Sequence, residues 1–249
     1  MSMFQPLLNP AAFVNSERAA GNPSVLKACV SLAIASFFTA IVATFAVFPL
    51  FSETKFMGSV VPFDMNGAIW NFFLAFIFAL LFQLAGFAIA RFFLRGKGSF
   101  AGHAYFCSTT ALAMIPVSAA LSIIGLAAGF ALRMLSESST AGEFAAKSWP
   151  LFASLSISSA LFPAVGFAVK LPLWALDAAS AYGSPVFYAL LIAPSLSIIL
   201  LAYAHAKGIA EVHSINWKKA LAVFILSSLI LLTLEFVLFK ASYVFVSVH

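Results

Sequence analysis

From Ala28 to Phe51 the chain carries no formal charge. A run of this length is what a helix needs to cross the ~30 Å hydrocarbon core of a bilayer at about 1.5 Å per residue. It is too long for the core of a signal peptide, and no small-residue cleavage site and polar mature chain follow it, so it is expected to stay in the membrane. Four further apolar runs succeed it: Ala68–Leu94, Ala104–Leu132, Val186–Ala206 and Ala220–Phe239. A sixth apolar stretch, Trp149–Leu176, is interrupted by Pro150, Pro163, Lys170 and Pro172. The runs read as helices, because a closed barrel needs alternating segments of about ten residues and none occur. Composition leaves little room for another class. Hydrophobic residues make up 63% of the chain and charged residues 8%, whereas a soluble domain is roughly half apolar and a quarter charged. Thirteen basic and eight acidic side chains cannot wet the surface of a globule this apolar. A water-soluble enzyme, a disordered tail and a secreted disulfide scaffold are excluded.

Loop charge sets the expected topology. Arg18 and Lys27 precede the first run, Arg91, Arg95 and Lys97 join the second to the third, and Lys207, Lys218 and Lys219 precede the last. These regions hold eight of the thirteen basic residues. The loops 52–65 and 133–148 carry mixed charge: Lys55 with Glu53 and Asp64, then Arg133 and Lys147 with Glu137 and Glu143. All three basic regions face the cytoplasm only if 149–176 does not cross. The expected fold is therefore an all-α polytopic transmembrane helix bundle of five spans, with the N-terminus cytoplasmic and the C-terminus outside. Segment 149–176 is re-entrant or lies in the outer interface, where Trp149 and Trp174 suit it; a sixth span is the alternative. Residues 1–27 form a cytoplasmic N-terminal segment, and 28–249 a single transmembrane domain. The net charge of +5 then reports topology, not nucleic-acid binding.

Phe4, Leu7, Leu8, Phe13 and Val14 are spread through the N-terminal segment, and Pro10 suits the first position of a short interfacial helix. Asn9-Pro10 followed by Phe13, the run Arg95-Gly96-Lys97-Gly98-Ser99-Phe100, Pro116 inside the third span, and Lys207–Ala220 with Glu211, Val212 and His213 occur in that order. In this order and spacing the chain resembles the YIP family of Ypt/Rab-interacting membrane proteins, from about Asn9 to the last span. The resemblance implies five spans, a cytoplasmic N-terminus and a role in membrane trafficking or organisation. It points to a compact, prokaryote-like member in a plasma membrane. The longer N-terminal region of eukaryotic members has no counterpart here, so small-GTPase binding is not expected to carry over. The stretch 149–176 looks like an insertion relative to the five-span core.

A few residues stand out chemically. Glu235 is the one acid deep in a span; it marks an ion or proton path, or it is a hydrogen-bonded carboxyl packed near the outer rim, and the packed reading is preferred. His205, Glu211 and His213 share one basic loop before the last span without any zinc spacing, and read as plain polar loop residues. Arg95, Lys97, Lys218 and Lys219 form an expected cytoplasmic patch for anionic headgroups, each charge worth ~1 kcal/mol, or for a partner; topology determination alone accounts for them equally well. Gly96-Lys97-Gly98-Ser99 lacks the spacing of a phosphate-binding P-loop, and its glycines suit a tight turn between helices. Gly125 with Gly129, and Gly86 with Ala90, allow close helix approach within the bundle. Cys29 and Cys107 match no metal or redox spacing and read as small hydrophobes.

No nucleophile and base stand at a legible spacing, and no cofactor or metal is expected. The expected function is a non-enzymatic membrane scaffold or adaptor that contacts lipid and forms homo- or hetero-oligomers. The alternatives are a small-solute or ion transporter using Glu235, Asn71, Gln83 and the proline-interrupted helices, and an accessory subunit of a larger membrane complex.

Overall fold

The computed structural model describes residues 3–21, 23–42, 65–136 and 184–246. Every regular element among them is a helix. In chain order these are α1 (Gln5–Leu8), α2 (Pro10–Ala19), α3 (Val25–Val42), α4 (Met65–Ala88), α5 (Phe100–Ser136), α6 (Ser184–His213) and α7 (Trp217–Val246). The segment 149–176 and residues 43–51 of the first apolar run lie outside the described residues.

Local chemistry explains where the helices start. Pro10 opens α2, where a missing N–H costs nothing, and the Asn9 side chain accepts the Ala12 N–H at 3.3 Å. Ser24 caps α3 through the Lys27 N–H at 3.2 Å. Ser99 caps α5 through the Gly102 N–H at 3.2 Å, and Asn216 caps α7 through the Lys218 N–H at 2.9 Å. Each cap satisfies a donor that the first turn leaves unpaired. At its far end α4 passes into a wider turn over Ile89–Phe93, where the Leu94 N–H reaches back five residues to the Ile89 carbonyl at 3.1 Å.

The five long helices are neighbours in the order α3, α5, α6, α7, α4 and back to α3, and α5 also touches α4. Large apolar side chains face outward on these helices as well as inward. Ile69, Phe73, Ile77 and Leu84 on α4 face outward, as do Leu196, Ile199 and Tyr203 on α6 and Ile225, Leu226, Leu229 and Ile230 on α7. Leu26, Val30, Ile34 and Phe37 do the same on α3. Inside are Ser36, Gln83, Ser108, Thr110, Ser197, Ser227 and Ser228, with three histidines. Gln83 donates to the Ser108 hydroxyl across α4 and α5 at 2.9 Å. Among the described residues, Ala75–Phe93 is long and apolar enough to cross a membrane by itself. Leu196–His213 and Trp217–Leu231 qualify together as a pair bent by 115°.

The N-terminal helices fold back on the bundle. Leu7 joins an apolar cluster with Met114, Leu201 and Phe224. Phe13 and Val14 join Ile89, Phe106, Ile209 and Val212. Burying each of these side chains stabilises the docking by about 1.5–3 kcal/mol.

Candidate functional site

The chemistry-bearing groups gather at the end of the bundle where α2, the loop 94–99, the start of α5 and the α6–α7 turn meet. The basic region before α7, expected as a loop from Lys207 to Ala220, is helical as far as His213. Only Ser214, Ile215 and Asn216 separate α6 from α7. The helix extends because its last carbonyls have partners. The Arg18 guanidinium donates to the carbonyls of Glu211 and Val212 at 3.2 and 3.3 Å, and the Lys97 N–H donates to that of His213 at 2.8 Å. A cation and an amide thus meet the negative end of the helix dipole.

His205 and His213 are consequently buried helix residues. His103, on the first turns of α5, completes a set of three and belongs to no sequence motif. All three are at most 2% exposed. His103 Nδ1 and His213 Nε2 share one hydrogen bond of 2.9 Å across α5 and α6. The ring of Phe87 lies against both, with centroids 6.1 and 5.9 Å away. His205 is enclosed by Phe82, Phe106 and Phe224, with ring centroids 5.8, 6.0 and 5.2 Å away. Its Nδ1 lies 3.0 Å from the Leu201 carbonyl. A carbonyl only accepts, so Nδ1 carries the hydrogen and Nε2 is the bare nitrogen.

His213 Nδ1 is buried and has no hydrogen-bond partner. The loop 94–99 wraps this face of the ring. A Cβ on Gly96 would lie 2.8 Å from the Ala90 carbonyl oxygen and 2.9 Å from His213 Nδ1; on Gly98 it would lie 2.6 Å from the Val212 carbonyl oxygen and 2.9 Å from the same nitrogen. Both glycines are therefore required by contact with backbone and imidazole. The Gly96 N–H donates to Ala90 at 2.8 Å, and Arg91 donates to the Gly96 carbonyl at 2.8 Å.

Beside this loop lies a cavity of about 360 Å³, bounded by α2, residues 97–99 and the first turns of α5. Glu17 lines it and is 6% exposed. The Tyr105 hydroxyl donates to Glu17 Oε2 at 2.9 Å, and the Tyr105 ring stacks on Phe13. Arg18 and Lys97 line the same space and are solvent-accessible.

Arg95, Lys97, Lys218 and Lys219 are all exposed, and the Lys97–His213 backbone bond holds their two segments at one end of the bundle. Arg95 takes a left-handed backbone, φ 56°. Trp217, half-exposed at the start of α7, has the ammonium groups of Lys207 and Lys218 each 6.0 Å from its ring. Gly86 faces His103 and Ser227: a Cβ there would lie 3.1 Å from His103 Nε2 and 3.2 Å from Ser227 Oγ. Gly125 and Gly129 lie on α5 and Glu235 on α7, apart in sequence from this end; for these three only the backbone is described. Cys107 is buried in the apolar cluster with Phe13 and Phe106. Among the described residues no three His, Cys, Asp or Glu side chains are placed to hold a metal ion.

Comparison of the chain with protein-family models, curated proteins and solved structures returns no match. The likeness to the YIP family rests on the short motifs and their order alone.

Proposed function

We propose that the chain is a multi-pass integral membrane protein acting as a non-enzymatic scaffold or adaptor, in which the loop end contacts lipid headgroups or a partner. The observation that carries the membrane part is the apolar outer surface. Four helices present apolar stripes outward, while their serine, glutamine and histidine side chains are buried. Water would penalise such a surface and hydrocarbon does not. In this reading α3 to α7 are the five spans, the N-terminus and the basic loop end face the cytoplasm, and the C-terminus lies outside. Support for the adaptor part comes from the loop end, where Arg95, Lys97, Lys218 and Lys219 are exposed and a half-exposed Trp217 has the ammonium groups of Lys207 and Lys218 beside its ring. Such a surface suits anionic headgroups or an acidic partner segment.

The deciding experiment is purification of the tagged protein from its native membrane in mild detergent, with mass analysis of what accompanies it. A stoichiometric partner supports the adaptor, and would separate a free-standing scaffold from a subunit of a larger complex. Recovery of the chain alone counts against the adaptor. A second reading, a small-solute or ion transporter, draws on the buried histidines and the Gln83–Ser108 pair inside the bundle, since intramembrane polar groups often line a pathway. Flux in proteoliposomes that Glu235→Gln leaves unchanged rules out that path.

A further inference from the structure

We infer that the cavity between α2 and the start of α5 seats the headgroup of a single zwitterionic phospholipid, of the phosphoethanolamine type. The inference rests on the membrane reading above and goes beyond the general surface attraction proposed there. It names a built site, one ligand class and a selectivity.

Charge comes first. Three charged side chains line about 360 Å³, a volume at the lower end of the ~300–1,000 Å³ range of small-molecule sites. Glu17 is buried, and the group oriented on it is the neutral Tyr105 hydroxyl. Arg18 is fixed by two main-chain carbonyls, also neutral. Lys97 has its backbone anchored on His213 and its side chain exposed. Among the described residues the Tyr105 hydroxyl is the donor that meets this carboxylate, and a buried carboxylate so placed favours a cation in the space beside it. Two cations at the rim favour an anion. One ligand answers both demands if it carries a phosphate and an ammonium a few bonds apart. A headgroup with a phosphate and only hydroxyls leaves Glu17 unanswered.

The wall comes second. Gly102 lies on α5 with helical backbone, where glycine costs up to about 1 kcal/mol relative to alanine. Nothing in the packing requires it: a Cβ there would meet Ser99 Oγ at 3.4 Å and Val212 Cγ1 at 3.7 Å, ordinary contacts. Gly96 and Gly98 are hemmed in by neighbouring atoms, whereas Gly102 lines the cavity. What the missing side chain provides is room.

Depth comes third. Pro23 lies on the cavity wall. Two residues later α3 begins, and its Val25 and Leu26 are 47% and 76% exposed. Phe92 and Phe93, next to the loop 94–99, are 74% and 79% exposed. The cavity thus sits where the outward apolar surface starts, the level of headgroup phosphates in a bilayer. This favours a lipid over a free phosphate as the source of the anion.

The test uses the full-length protein in nonionic detergent. It is titrated with dioctanoyl phosphatidylethanolamine, dioctanoyl phosphatidylglycerol and inorganic phosphate, and bound molecules are counted by native mass spectrometry. The expected result is one ethanolamine lipid per chain, bound about tenfold more tightly than the glycerol lipid and not displaced by phosphate. Gly102→Leu, which fills the cavity, is expected to weaken that binding about tenfold, and Gly102→Ala to retain it. Glu17→Gln is expected to bring the two lipids to equal affinity. Equal binding of both lipids to the unaltered protein overturns the proposal. So does full binding by Gly102→Leu, or displacement by phosphate alone. Should Gly102→Leu fail to fold, the Glu17→Gln ratio decides: an unchanged preference overturns the proposal. A chain that fractionates away from membranes in cells defeats the membrane reading itself; a chain that stays in the membrane and binds lipids without preference defeats only this inference.

Discussion

The joint between α5 and α6 and the cavity beside it each contain a glycine, and the two glycines do opposite things. A Cβ on Gly208 of α6 would fall on the ring of Phe106, which is itself buried on α5. At Gly102, about one turn earlier on α5, the same atom would meet only ordinary contacts. One glycine lets two helices touch, and the other keeps them from filling a space. The residue type alone does not distinguish these roles. The neighbour across the gap does.

The joint is where substitution should do most harm. Gly208→Ala drives a methyl group into an aromatic ring held on all sides, and overpacking of this kind costs about 1–3 kcal/mol, with the upper end expected here because Phe106 is fully enclosed. The readout is thiol labelling of the buried Cys107 in a Cys29→Ser background during a thermal ramp, where the variant should react at clearly lower temperature. A variant that reacts like the parent would mean that Phe106 moves aside, and the contrast between the two glycines would vanish. Gly98→Ala should follow at about 1–2 kcal/mol. Its Cβ would lie 2.6 Å from the Val212 carbonyl oxygen and 2.9 Å from His213 Nδ1, a less severe overlap than that of Gly208 with the Phe106 ring.

Much of this architecture is legible in the residues, for physical reasons that also mark where legibility stops. The apolar runs and the Asn9-Pro10 start identify helices, because hydrophobic length and capping are local properties. Gly96 and Gly98 are legible as a tight passage, yet the cause is His213, which lies far along the chain. The region from Lys207 to His213 reads as a loop because it is dotted with charge. It is helix because Arg18, from the other end of the sequence, and the Lys97 amide meet its last carbonyls. His103 is not legible as a site residue because its partner, His213, is 110 residues away. Such a pair has no spacing to read and exists only once α5 and α6 have packed.

The smallest effect, and the one of opposite sign, belongs to Gly102→Ala. The backbone there is helical and the nearest atoms are 3.4 and 3.7 Å from the new methyl group, so no strain opposes it. Replacing glycine in a helix gains up to about 1 kcal/mol, and less in a first turn; the Cys107 labelling transition should rise by about 2 °C. A gain here beside a loss at Gly208 shows that the glycine at the cavity is not held by packing, which leaves the open space as what distinguishes the position. A loss at Gly102 of the same size as at Gly208 would show instead that α5 and α2 close on each other more tightly than their described contacts indicate, and that the cavity is part of the joint.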